Sequence, residues 1–184
     1  MELSDIEADL TSVLYTEEQI HAKIAEVARQ VEADYAGREP LLVGVLKGAV
    51  MVMADFSREL KLAASMDWMA VSSYGSGTKS SGVVRILKDL DSDLHGRDVI
   101  IVEDIIDSGL TLSWLLENLQ KRGAASVEIF ALFRKPAAAK VAVDVKHVGF
   151  DIPNAFVVGY GLDFDERFRN LRVVGTLAEH GYSS

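Results

Sequence analysis

Apolar residues recur at Ile20, Ile24, Val27 and Val31, the spacing of one helical face. Thr16 followed by Gln19 forms a capping-box pattern at the start of this run, and Gly37 offers a stop. The reading is an amphipathic helix. After Pro40, Leu41 to Leu46 is a short apolar run broken by Lys47-Gly48, and the AVMVMADFSREL stretch beyond it has helical character. Met66 to Tyr74 predicts a second strand, followed by a Ser- and Gly-rich stretch that lacks large apolar anchors and is expected to be a mobile loop.

Strand character returns at Val83 to Leu87, and Asp98 to Val102 is a β-branched run of the kind found in buried parallel strands. Thr111 to Arg122 predicts a helix that Gly123 ends. Val127 to Phe133, Phe156 to Tyr160 and Arg172 to Leu177 add three strand candidates. Strand and helix alternate without internal repeat, so the expected fold class is α/β, a mainly parallel central sheet flanked by helices, in one domain over residues 1–184. Ligands of such sheets bind beyond the carboxyl ends of the strands, which directs attention to the loops after Leu46, Val102, Phe133 and Tyr160.

Composition narrows the chemistry. The 184 residues include no cysteine, which excludes a disulfide framework and a thiol nucleophile. A formal net charge of -9 offers no long-range attraction to nucleic acid or anionic lipid, so any bound phosphate must be held locally. The start MELSDIEADL is acidic where a signal peptide would be basic, and no apolar run is long enough to span a bilayer. A cytoplasmic protein with neither nucleic-acid nor membrane partner is the expectation. His21, His95, His147 and His180 show no metal-ligand spacing, and Trp68 and Trp114 read as packing residues.

One segment concentrates chemistry. Ile100 to Thr111 reads IIVEDIIDSGLT, a buried strand leading into Glu103, Asp104 and Asp107 and then into Ser108, Gly109 and Thr111 before a helix. Adjacent like charges at a strand end gain a structural protein little, whereas a ribose diol and a divalent cation need such acceptors. Hydroxyls and backbone N–H groups at a helix start suit a phosphate monoester. Solvated loop acids and an ordinary N-cap serine are the alternative reading of these residues.

The whole string resembles the PRPP-binding signature of type I phosphoribosyltransferases and is close to the form found in their hypoxanthine-guanine members. Three further segments follow the family's order: Leu46-Lys47-Gly48 is similar to its pyrophosphate loop, with an unusual, often cis, peptide; Ser73-Tyr74 to its flexible loop; and Val148 to Leu171 to its purine-recognition region. The resemblance spans roughly residues 10 to 178 and implies a small hood built from the chain ends. It implies transfer of the 5-phosphoribosyl group of PRPP to hypoxanthine or guanine, giving IMP or GMP and pyrophosphate, with Mg²⁺ as cofactor. It also implies a homo-oligomer, dimer or tetramer.

By the same resemblance, Glu103, Asp104, Asp107, Ser108, Gly109, Leu110 and Thr111 hold the ribose and its 5′-phosphate, and Asp107 is the general base. Leu46, Lys47, Gly48 and Arg169 meet pyrophosphate, while Glu103, Asp104 and Asp163 serve the metal. Lys135 donates to the 6-oxo group, Phe156 stacks on the base, the Val157 backbone reads its far edge, and Asp163 completes this region. Leu110 stands where some members carry lysine. Taken singly, Phe156 reads as a core aromatic, Lys135 as a loop lysine, and Asp163 and Arg169 as parts of a solvated charged run. A non-catalytic regulator on the same fold that binds PRPP, nucleotides or RNA, and a transferase for another base, are the rival readings.

Overall fold

The computed structural model describes residues 9–73 and 84–178. Strand β1 (Leu10–Tyr15) leads into helix α1 (Glu17–Asp34). The Thr16 hydroxyl accepts from the Gln19 N–H, and the Gln19 side chain accepts from the Thr16 N–H, which closes the expected capping box. Ile20, Ile24, Val27, Ala28 and Val31 form its buried stripe.

Then come β2 (Leu41–Leu46), α2 (Val50–Glu59), β3 (Ser65–Ser73), β4 (Val84–Lys88), β5 (Asp98–Ile106), α3 (Leu110–Lys121), β6 (Ser126–Arg134), β7 (His147–Asp151), β8 (Val157–Val158) and β9 (Val174–Leu177). Six strands form the main sheet in the order β4-β3-β2-β5-β6-β7. All neighbours are parallel except the edge strand β4, which runs antiparallel to β3.

Alternation along the strands assigns the two faces. Leu42, Ile100, Val102 and Phe130 pack with α1 and α2, whereas Leu41, Val43, Val99, Ile101 and Ile129 pack with α3. Trp114 is partly buried against this second cluster. Trp68 covers Gly44, where an added Cβ would lie 2.5 Å from the indole, so the strand tolerates no larger residue without moving the ring.

A second, three-stranded antiparallel sheet, β1-β9-β8, joins the two ends of the chain and forms the hood. The Tyr160 hydroxyl donates to Asp55 of α2 and ties the hood to the main body.

Several elements differ from the sequence reading. Strands β1 and β7 were not expected. Of β1, residues 11–13 are exposed, so its pattern lacks a clean buried face. The β-run at Phe156 to Tyr160 shortens to two residues because Gly159, Tyr160 and Gly161 take left-handed φ values of 100°, 51° and 98°. The run from Arg172 starts two residues later as β9. Strand β5 continues through Glu103 and Asp104 to Ile106, so the acid pair lies within the strand rather than beyond it. His147 is buried, within 3.2 Å of the Gln30 side-chain oxygen, and desolvation pushes its pKa down, which fits a structural role.

Candidate active site

Strand β5 delivers the acid pair, and its pleat separates the two side chains. Glu103 lines a cavity with Asp107, Ser108, Gly109 and Thr111 on the α3 side. Asp104 lines a cleft of about 230 Å³ with Lys135, Phe156, Val157, Leu162 and Asp163 beneath the hood. A ribose that met both carboxylates would straddle the end of β5.

Burial raises the Glu103 carboxyl well above the usual range, and the neighbouring charge of Asp104 adds to this. Burial likewise pushes Asp104 up to about 6 against backbone hydrogen bonds and the charge of Arg169, which favour the anion. The strand end therefore holds more negative charge than its surroundings satisfy.

After β5 the chain turns through Gly109, whose φ of 80° is left-handed and favours glycine. Gly109 caps α3 without any side-chain hydrogen bond. The Leu110 N–H reaches the Ser108 hydroxyl at 3.4 Å, and the Lys140 N–H holds the Ser108 carbonyl at 2.9 Å. Ser108 thus precedes the cap and shapes the turn instead of serving as the ordinary N-cap. Gly109, Thr111 and Leu112 at the start of α3 line the same cavity as Glu103, and the first amides of a helix have no partner within it.

The Lys47-Gly48 turn approaches from β2, with the Leu46–Lys47 peptide cis. A Cβ added to Gly48 would lie 1.8 Å from Asp104 Oδ2, and one added to Gly161 would lie 2.1 Å from the Gly48 carbonyl oxygen. The turn after β2, the acid of β5 and the hood turn meet here without room for side chains.

Around this junction charges pair. Arg169 Nη2 lies 2.9 Å from Asp163 Oδ1, Arg169 Nη1 donates to the Gly161 carbonyl at 2.8 Å, and Lys47 Nζ lies 2.9 Å from Glu166 Oε2. The buried Arg169 Nε has no hydrogen-bond partner among the described residues.

The remaining predicted residues divide by exposure. Lys135 is only 8% exposed, and its ammonium lies 3.6 Å from Asp107 Oδ2, so it is no solvated loop lysine. The Asp107 side chain is 60% exposed and open to a reactant. Phe156 is 41% exposed at the cleft, edge-on to Phe164 with centroids 5.6 Å apart, which sets aside the core-aromatic reading. Val157 is buried. Ser73 ends β3, whereas Tyr74 and the Ser/Gly-rich stretch through residue 83 lie outside the described residues.

Three contributors escaped the sequence reading. Ile105 and Leu162 line the cleft, and Glu166 contacts both Lys47 and Arg169. Ile105 lay inside the recognised string, but nothing local distinguished Glu166 from a solvated acid.

Among the described residues no three His, Asp or Glu side chains gather into a ready-made metal cage. The donor set still fits Mg²⁺, a hard cation that takes one or two carboxylates and leaves its other positions to water and phosphate oxygens. Asp104 and Asp163 share the cleft, and the charge of Asp163 adds to the cost of ionising Asp104.

Desolvated acids at a parallel strand end, an uncapped helix start and a cleft lined by an aromatic ring define an α/β protein built to handle a sugar phosphate beside a planar ring. The phosphoribosyl transferase domain matches residues 11–165, and the chain belongs to that family. It is 56% identical over 180 residues to a hypoxanthine-guanine phosphoribosyltransferase of Mycobacterium bovis, covering 95% of this chain and 89% of that protein. A protein of the same name from Streptococcus thermophilus is 49% identical, covering 97% and 99% of the two chains. The crystal structure of a hypoxanthine phosphoribosyltransferase from Staphylococcus aureus superposes with a TM-score of 0.95 at 44% identity over 98% of each chain.

Proposed function

We propose that the protein transfers the 5-phosphoribosyl group of PRPP to hypoxanthine or guanine, forming IMP or GMP and pyrophosphate in purine salvage. The observation that carries this reading is one cleft lined together by Lys135, Phe156, Val157, Asp104, Asp107 and Asp163. A buried lysine donor answers a 6-oxo group, and an exposed aromatic face answers a flat base.

In the reaction N9 of the base attacks C1′ as pyrophosphate leaves, through a transition state with positive charge on the ribosyl ring. Glu103 and Asp104 accept from the ribose hydroxyls and place negative charge near that ring. Ser108, Thr111 and the backbone of Gly109 and Leu110 cradle the 5′-phosphate. Lys47, the backbone around Leu46 and Gly48, and Arg169 receive the leaving group. Asp104 and Asp163, with Glu103 nearby, would hold Mg²⁺, which when bound supplies countercharge to the pyrophosphate oxygens.

Asp107 takes the proton from the purine ring at N7. Its exposed carboxylate is open to the base, with the Lys135 ammonium 3.6 Å away.

The protein works as a cytoplasmic homo-oligomer, dimer or tetramer, without nucleic-acid or membrane partners. Among the described residues no helix is long and apolar enough to cross a membrane, and the net charge of -9 disfavours polyanions. Asp107→Asn is expected to lower kcat on the order of 10²-fold while changing PRPP affinity far less. Steady-state kinetics with directly measured PRPP binding checks this, and an unchanged kcat would remove Asp107 from the proton transfer.

A further inference from the structure

Glu166 stands between the two cations that the reading above gives to the leaving group. Its Oε2 lies 2.9 Å from Lys47 Nζ and its Oε1 lies 3.1 Å from Arg169 Nη2. These cations come from different parts of the chain, the turn after β2 and the hood loop before β9. One carboxylate bridges them.

The loop is built to present that carboxylate. Asp165, Glu166 and Phe168 take left-handed φ values of 50°, 60° and 76°, a conformation that residues other than glycine seldom adopt. Reciprocal backbone bonds between Phe164 and Arg167 close the turn at 3.1 and 3.0 Å. The Glu166 N–H also donates to Asp163 Oδ2 at 2.9 Å, while Asp163 Oδ1 holds Arg169. Asp163, Glu166 and Arg169 therefore form one network with Lys47 at its outer end.

A carboxylate offers two acceptor oxygens to lysine and arginine, much as two oxygens of a phosphate do. Both cations hold the Glu166 carboxyl below its usual range, so it remains an anion at neutral pH. Yet Glu166 and Lys47 are largely exposed, at 62% and 66%, and exposed pairs are individually weak. A more highly charged anion can displace such a partner at little cost.

We propose that Glu166 is a stand-in anion that occupies the pyrophosphate position between Lys47 and Arg169 in the free enzyme, yields both cations to the pyrophosphate of PRPP, and recaptures them as the product leaves. It is a positioning residue, and its role rests on the transferase reading above. It keeps two like charges apart but aimed at one place before substrate arrives, and it competes with pyrophosphate at the end of the cycle.

The test is calorimetric binding of inorganic pyrophosphate, with and without Mg²⁺, to the wild type, Glu166→Gln, Lys47→Ala and the double variant. Removing a competing anion is expected to tighten pyrophosphate binding about three- to tenfold, a gain that structural damage would not produce. The gain should shrink when Lys47 is also absent. Stronger product inhibition by pyrophosphate should accompany it. Glu166→Ala provides the same comparison should the glutamine variant fold poorly.

Unchanged or weaker pyrophosphate binding in both variants would overturn the proposal and leave Glu166 as a support for the loop or the metal. Turnover measured alongside separates the two readings. A wild type that binds pyrophosphate but converts no base would sink the transferase assignment, while the Glu166 comparison would still decide the handover. A wild type that binds no pyrophosphate would end both.

Discussion

In the proposed reaction Asp104 serves chemistry at the expense of the fold. Desolvation raises its carboxyl from 3.8 to about 6, so the folded protein holds this proton more tightly than the unfolded chain does. The sign follows from linkage: its contribution is most favourable below 3.8, is lost as pH rises towards 6, and then stays lost. Asp104→Asn, which remains neutral, is expected to gain about 2–3 kcal/mol of stability at pH 7.5, most of which vanishes by pH 4. Denaturant titrations at the two pH values check this. Equal stability of variant and wild type at pH 7.5 would show that the buried charge is compensated. Activity should fall in the same variant, the pattern expected where a site retains unfavourable charge for its ligand.

At the scale of elements, the site depends on three backbone segments meeting without side chains. Gly48→Ala would place a Cβ 1.8 Å from Asp104 Oδ2, and so near a strand core the acid has little freedom to retreat. The substitution is expected to cost about 1–3 kcal/mol of stability and to lower kcat/KM at least about tenfold. Thermal melts and kinetics together check it, and wild-type values in both would mean the turn and the acid do not touch. The same scale explains what could be read beforehand. Helix α1 was legible because its cap and stripe are local, and the unit from β5 to α3 because a β-branched run, a Gly turn and a helix follow one another. Strand β1 was not, since its partner β9 lies at the other end of the chain and its own burial pattern is mixed. Strand β7 was missed as a five-residue strand interrupted by Gly149, a position where the Leu132 carbonyl leaves no space for a Cβ. The residue types of the site were legible as a string, but the burial of Lys135, the exposure of Phe156 and the bridge made by Glu166 arise only when β6, the hood and the turn after β2 come together.

For the whole molecule, the parallel sheet places an acid pair and the start of α3 at one strand end, and Phe156, Val157, Leu162 and Asp163 of the hood region line the cleft beside Asp104. Each part by itself has an ordinary explanation. In the sequence alone the acids read as solvated, Ser108 as an N-cap and Phe156 as a core aromatic. Their convergence on two cavities that share Ile105 and Asp107, in a chain of the phosphoribosyl transferase family, is what supports transfer to a 6-oxopurine. The direct measurement is the ultraviolet absorbance change when the protein is mixed with PRPP, Mg²⁺ and, in separate reactions, hypoxanthine, guanine, xanthine or adenine. Turnover of hypoxanthine or guanine with adenine excluded is the predicted result, whereas PRPP binding without turnover of any base would contradict it and point to a regulator on the same fold.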